Sequence, residues 1–166
     1  MLKKWAVAYP HYAFGSEGDP DDAAIEMPGA DDGARVHSQV EVLRQRMFPR
    51  KLWPAEAEAF YRAWCDFKNQ EGALDFTDLI ALALREIEVA PGDPRVLVLD
   101  EAQDLSKIEL TLIRKWGAKA DSLVLAGDPL QCLYSFKGAE PRALLNPPIP
   151  DSQKRVLSQS YRVPRA

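Results

Sequence analysis

The apolar positions of this chain fall into periodic runs separated by polar or proline-rich stretches. Val36, Val40, Leu43 and Met47 recur at helical spacing and predict an amphipathic helix over about 35–47. Trp53-Pro54 opens a second helix, with Pro54 in its first turn and Glu56 and Glu58 near its positive end. Ala57, Phe60, Tyr61, Trp64 and Phe67 line its buried face, and Gly72 stops it. An aromatic stripe at that spacing reads as core rather than as a stacking platform. Asp75-Phe76-Thr77-Asp78 caps a third helix with the stripe Leu79, Ile80, Ala83, Leu84 and Ile87, and Pro91-Gly92-Asp93-Pro94 ends it. Val96-Leu97-Val98-Leu99 then reads as a short strand buried on both faces, as in a parallel sheet.

Downstream, Ser106 and Glu109 form a capping box, Ser106 accepting from a first-turn amide and Glu109 reaching back. The helix they start is expected to bury Ile108, Leu112, Ile113 and Trp116 and to close at Gly117. Residues 122–126 predict a second buried strand, 138–145 a short helix, Pro147, Pro148 and Pro150 a stiff linker, and 155–158 a third strand. Strand, helix, strand, helix, strand from Arg95 onward predicts an α/β class with a parallel sheet and right-handed crossovers. Residues 1–14, broken at Pro10, read as a helical turn or a strand packed against something else.

Composition alters this picture in one respect. The chain has 166 residues, 46% hydrophobic and 28% charged, as in a soluble globular protein of one domain or two small subdomains. The formal charge is −4, yet seven acids (Glu17, Asp19, Asp21, Asp22, Glu26, Asp31, Asp32) fall between Gly15 and Ala34 with no Lys or Arg among them. Setting those aside leaves 21 basic against 18 acidic residues, a mildly basic body that permits nucleic-acid binding without arguing for it. The acidic stretch itself, rich in Gly, Pro and Asp, reads as an exposed, mobile loop. No apolar run approaches a membrane span, no secretory segment follows Met1, and two cysteines are too few for a disulfide framework or a zinc site. A reducing cytoplasm is the expected compartment.

The chemistry sits at the strand ends. Asp100 and Glu101 follow the first strand at its carboxyl end, where open α/β sheets bind ligands. An Asp there can hold Mg²⁺ through oxygen, and a neighbouring Glu can polarise a water against a phosphate. Taken alone, the stretch reads better as a strand ending in a solvated acidic turn. Its company decides otherwise: DEAQD (100–104), GDPLQCLYSFKGA (127–139) and LSQSYRVP (157–164) each follow a predicted strand, and LDFTDLI (74–80) caps a helix. In this order, from about Phe60 to Arg165, these blocks resemble the motor motifs of the UvrD/Rep family of superfamily 1 DNA helicases.

That resemblance implies a partial RecA-like parallel sheet with flanking helices plus a mainly helical subdomain. It implies ATP and Mg²⁺ as cofactors and single-stranded DNA as partner. Asp100 would hold Mg²⁺ on the ATP phosphates and Glu101 would activate the attacking water, with Gln103 and Asp104 ordering their loop. Gln131 would sense the γ-phosphate. Tyr134 and Phe136 would stack on bases, with Lys137 offering charge beside them. Tyr161 would lie by adenine, and Arg162 would stabilise charge on the γ-phosphate. Phe136, Lys137 and Ser160 stand where relatives usually carry Trp, Arg and Asn. Phe still stacks, and Lys still offers charge, though without a planar fork.

No G-x-x-x-x-G-K-[ST] occurs in the chain, so the phosphate cradle of that family is missing. The chain therefore reads as an excerpt: a helical inserted subdomain over 1–73, the second half of the first motor lobe over 74–150, and the start of the second lobe over 151–166. The missing helicase segments would be its partners, and the excerpt alone is expected to lack ATPase activity. Two other readings stand beside this one: a non-catalytic remnant that binds single-stranded DNA or a helicase partner, and the helicase part of a helicase–nuclease.

Overall fold

The computed structural model describes residues 2–9, 12, 32–134 and 138–157. The chain begins with α1 (Leu2–Ala8), α2 (Asp32–Gln45), a 3₁₀ turn at Arg50–Leu52, α3 (Ala55–Glu71) and α4 (Phe76–Glu86). There follow β1 (Val96–Leu99), a 3₁₀ turn at Ala102–Asp104, α5 (Lys107–Gly117), β2 (Ser122–Leu125), a 3₁₀ turn at Pro129–Gln131 and α6 (Pro141–Leu144).

α2 and α3 pack together around Val36, Val40, Ala57, Phe60, Trp64 and Phe67, with Trp5 of α1 at the centre. The Trp5 ring meets Phe60, Trp64 and Phe67 edge-on at 5.4, 4.9 and 5.3 Å between centroids, the geometry that ring quadrupoles favour. The aromatic stripe of α3 is thus core, and the N-terminal segment takes the helical of its two readings. Gly72 ends α3 in the left-handed conformation (φ 61°) that an αL cap uses. Pro54 is the N-cap rather than a first-turn residue, and α2 starts at Asp32, so one of the seven acids belongs to a helix. The remaining six fall outside the described residues.

A buried ion network joins α2, α3 and α4. Arg44 and Lys68, both almost wholly enclosed, donate to Asp75 at 2.8 and 2.5 Å and also to Asp78, while Glu41 accepts from Arg44 and from Thr77. Asp75 and Asp78 reciprocally cap α4 in the same place, and the Trp64 indole donates to Asp75 at 3.0 Å. The cap explains the Phe76-Thr77-Asp78 block, and the network adds a second structural reason for both acids.

Three expectations are corrected. β1 is not buried on both faces: Val96 and Val98 are 54% and 70% exposed, and only Leu97 and Leu99 are partly covered. β2, also expected to be buried, alternates in the same way, with Val124 exposed and Leu123 and Leu125 partly covered. A parallel strand reads as a continuous apolar run because helices normally cover both its faces; here α5 packs against β2, and among the described residues nothing covers Val96, Val98 and Val124. For the same reason α4 leaves Leu79 and Ile87 exposed, with Ile80, Ala83 and Leu84 half-buried and only Thr77 fully enclosed. The third strand is absent from the described part of 155–158: Arg155, Val156 and Leu157 are exposed and irregular, and Ser158 lies outside the described residues.

α5, which contacts α2, α4, α6 and β2, buries Ile108, Leu110 and Leu112, with Ile113 and Trp116 only half-buried. Glu109 accepts from both the amide and the hydroxyl of Ser106, at 2.8 and 2.6 Å. Lys115 and the Trp116 indole donate to the carbonyls of Leu84 and Ile87, tying down the C-terminal end of α4. No helix among the described residues is long and apolar enough to cross a membrane, and Cys65 and Cys132 are free thiols.

Candidate nucleotide and nucleic-acid site

The parallel register of β1 and β2, from Val96 opposite Ser122 to Leu99 opposite Leu125, makes both strands end side by side. The ladder runs on past them: Ala126 N–H donates to Leu99 at 2.8 Å, and Ala102 N–H donates to Ala126 at 2.9 Å. The DEAQD and GDPLQ segments are therefore locked together where ligands bind in open α/β sheets.

Gln103 is the pin. It is 1% exposed, its Oε1 accepts from the Asp128 amide at 2.9 Å, and its Nε2 donates to Glu101 Oε2 at 2.7 Å. The two neighbours set the orientation of its amide, since the N–H needs an acceptor and the carboxylate a donor. Asp128 continues the chain of bonds. One of its oxygens takes the Leu130 amide at 3.0 Å, and the other takes Gln131 Nε2 at 2.7 Å. These two donors hold the Asp128 carboxyl below its usual range, the Gln131 amide contributing most. Asp104 accepts from the Leu133 amide at 3.2 Å, anchoring the segment that leads to Tyr134.

Asp100 and Glu101 are exposed at the mouth of this assembly. Glu101 sits at φ 51°, ψ 39°, a left-handed conformation that non-glycine residues adopt at some cost. Its amide donates to Asp100 Oδ1 at 2.9 Å, so the turn carries two exposed carboxylates at adjacent positions, that of Glu101 anchored by Gln103. Backbone strain of this kind clusters at functional sites.

Of the residues singled out in the sequence, Asp100, Glu101, Gln103 and Gln131 are gathered by one hydrogen-bonded path, and Tyr134, 43% exposed, lies just beyond it. Phe136, Lys137, Tyr161 and Arg162 lie outside the described residues. Two residues were not singled out by type. Asp128 is a hub whose signal is an Asp followed by Pro, the makings of an Asx turn. Gly127 matters by close approach: a Cβ there would stand 2.5 Å from Gln103 Oε1 and 3.1 Å from the Ala102 nitrogen.

Asp100 offers hard oxygen at a site open to solvent. Among the described residues no group of three or more His, Cys, Asp or Glu side chains gathers that could hold a metal. A lone carboxylate suits Mg²⁺, which keeps several waters and is commonly completed by substrate phosphates.

A family model, that of the UvrD/REP helicase N-terminal domain, matches residues 37–148. The chain belongs to this family. Its two-stranded parallel sheet with flanking helices is accordingly a partial RecA-like α/β fold. The chain is 30% identical over 138 residues to an ATP-dependent helicase/nuclease of Exiguobacterium sibiricum, covering 75% of this chain and 11% of that protein. It is 35% identical over 98 residues to the ATP-dependent DNA helicase UvrD2 of Mycobacterium tuberculosis, covering 54% and 14% respectively. With the ATP-dependent DNA helicase PcrA of Staphylococcus aureus it shares 30% identity over 103 residues, covering 57% and 14%. The chain thus spans between about a ninth and a seventh of the length of these UvrD/REP relatives.

Proposed function

We propose that this chain is the part of an ATP-driven single-stranded-DNA translocase or helicase in which nucleotide state is passed to the DNA side. The observation that supports it is the path Glu101–Gln103–Asp128–Gln131, followed directly by the segment bearing Tyr134. The buried Gln103 amide, held at both ends, links the two turns, because it cannot shift without losing a partner. In this reading Asp100 holds Mg²⁺ and Glu101 orients and deprotonates the attacking water. Gln131 faces the γ-phosphate, and Tyr134, Phe136 and Lys137 engage single-stranded DNA. Tyr161 and Arg162 close on the nucleotide from the second lobe. When bound, Mg²⁺ would neutralise charge on the β- and γ-phosphates. Residues 1–73 would be the inserted helical subdomain, 74–150 the half-lobe, and 151–166 the start of the second lobe, in a cytoplasmic protein.

The names of the relatives support ATP and DNA as ligands of the parent protein, and the helicase/nuclease relative, whose match takes in 75% of this chain, favours a helicase–nuclease as the second reading. The test uses the parent protein containing this chain. Glu101→Gln is expected to abolish DNA-stimulated ATP hydrolysis while ATP still binds, and Tyr134→Ala to lose DNA stimulation while basal hydrolysis persists. Undiminished turnover in Glu101→Gln would reject the assignment. A parent that binds single-stranded DNA and never hydrolyses ATP would make the chain a non-catalytic remnant.

A further inference from the structure

A cleft of about 340 Å³ opens between α5 and α6. Lys107, Arg114 and Arg142 bring three cations to its lining, against the single carboxylate of Glu140. Arg114 spends its donors on the carbonyls of Ala143, Leu144 and Asn146, at 2.8, 2.9 and 2.6 Å, and so closes the end of α6. Among the described residues no ion pair joins a carboxylate to Arg114, Lys107 or Arg142, so the lining keeps an excess of positive charge over Glu140. Burial lowers the pKa of Arg114, with no acid to offset it.

The cleft adjoins Tyr134. Ser106, immediately before Lys107, forms an antiparallel bridge with Ala139, immediately before Glu140. The Ala139 amide donates to the Tyr134 carbonyl at 3.2 Å, which ties Tyr134 to the residue next to Glu140 of the cleft lining. Single-stranded nucleic acid is held by two kinds of group side by side, aromatic faces for bases and cations for the backbone.

We infer that the Lys107–Arg114–Arg142 cleft takes the phosphodiester backbone of a single strand whose bases stack on Tyr134 beside it. The inference rests on the DNA reading of the loop that bears Tyr134. Lys107 is exposed and Arg142 half-buried, and the two supply the adaptable contacts, while Arg114 is fixed by the α6 carbonyls and supplies a standing charge. Glu140 limits how deeply a phosphate enters.

The test is fluorescence anisotropy of labelled oligo-dT with the 166-residue chain over a range of salt. Lys107→Gln/Arg142→Gln removes two accessible cations and spares Arg114, and thermal melting checks that the fold is kept. This double variant is expected to bind about tenfold more weakly. It should also lower the slope of log K against log salt by about 1.4, since each phosphate neutralised on a single strand contributes about 0.7. Tyr134→Ala is expected to weaken binding by about fivefold or more with the slope unchanged. An unchanged slope in the double variant overturns the cleft inference and leaves the loop reading standing if Tyr134→Ala still weakens binding. A reduced slope with an inert Tyr134→Ala overturns the stacking part. No binding of oligo-dT by the unaltered chain overturns both, and equal competition by polyglutamate gives the cleft to an acidic protein segment instead.

Discussion

Gln103 and Gly127 form a close pair in which each restricts the other. The glycine lets the second loop approach near enough for the Gln103 amide to bridge it to Glu101. Gly127→Ala must push the Gln103 carboxamide or the Ala102 backbone aside. The expected cost is about 1–3 kcal/mol, typical of overpacking at a rigid contact. It should appear as a lower urea midpoint and faster hydrogen exchange at the amides of Ala102 and Asp128. Gln103→Leu keeps the volume but leaves the Asp128 amide with no acceptor, and a loss of about 1–3 kcal/mol is expected in the same assay. A midpoint unmoved by either change would mean the two loops are not locked through this amide. Part of this was legible in the sequence, since the DEAQD block marked Gln103. The need for glycine at 127 was not, because close approach between two segments distant in sequence is a fact of three dimensions.

Helix ends were the most readable elements. Asp75 and Asp78, Ser106 and Glu109, and Gly72 act locally, through groups a few residues from one another, so their spacing carries the information. The ionic partners of Asp75 lie on other helices and were invisible. Burial pushes the Asp75 carboxyl up, but the bonds from Arg44 and Lys68 outweigh it and hold the group well below its ordinary 3.8. A depressed carboxylate pKa stabilises the fold above the unfolded value, and that contribution is lost as pH falls through the folded one. Resistance to urea should therefore weaken progressively below about pH 4. Asp75→Asn should flatten that limb and cost about 3–5 kcal/mol at neutral pH, as when one partner of a buried pair is removed.

His37 adds a second, higher window. Burial against Phe60 and Trp64 lowers its pKa from 6.5, outweighing the attraction of Glu41 and Asp75. Its neutral form is favoured by folding, so stability should begin to fall as pH drops below 6.5. His37→Phe should abolish that onset while leaving the loss below about pH 4; persistence of the upper limb in the variant would place its origin elsewhere. α5 has a tertiary constraint of its own. Gly117 lies where a Cβ would stand 2.5 Å from Leu123 of β2, so it serves the helix–sheet contact and not the helix end, which Ala118 caps.

Across the whole molecule, the covered and uncovered faces differ in kind. The aromatic core of α1, α2 and α3 is closed, whereas Phe76 and Leu79 of α4, Val96 and Val98 of β1, and Val124 of β2 are exposed. Exposed apolar area on this scale binds hydrophobic dyes. The chain is expected to enhance ANS fluorescence at neutral pH, and Leu79→Gln with Val98→Thr to reduce it. Stability should move by only about 0.5 kcal/mol per change, because neither side chain is enclosed. Enhancement unaffected by the pair would locate the dye-binding surface elsewhere.

The helix caps, the positions of β1 and β2 and the order of the blocks that follow them could be read from the chain alone, because each depends on periodicity or on partners a few residues away, whereas the third strand expected at 155–158 is absent from its described part. Which faces are covered could not. Periodicity states which side of a strand or helix is apolar but not whether another element lies against it, and here β1 and α4 keep apolar sides that nothing in the described chain occupies. The path from Glu101 to Gln131 was likewise settled only by the parallel register, which sets two distant turns against each other.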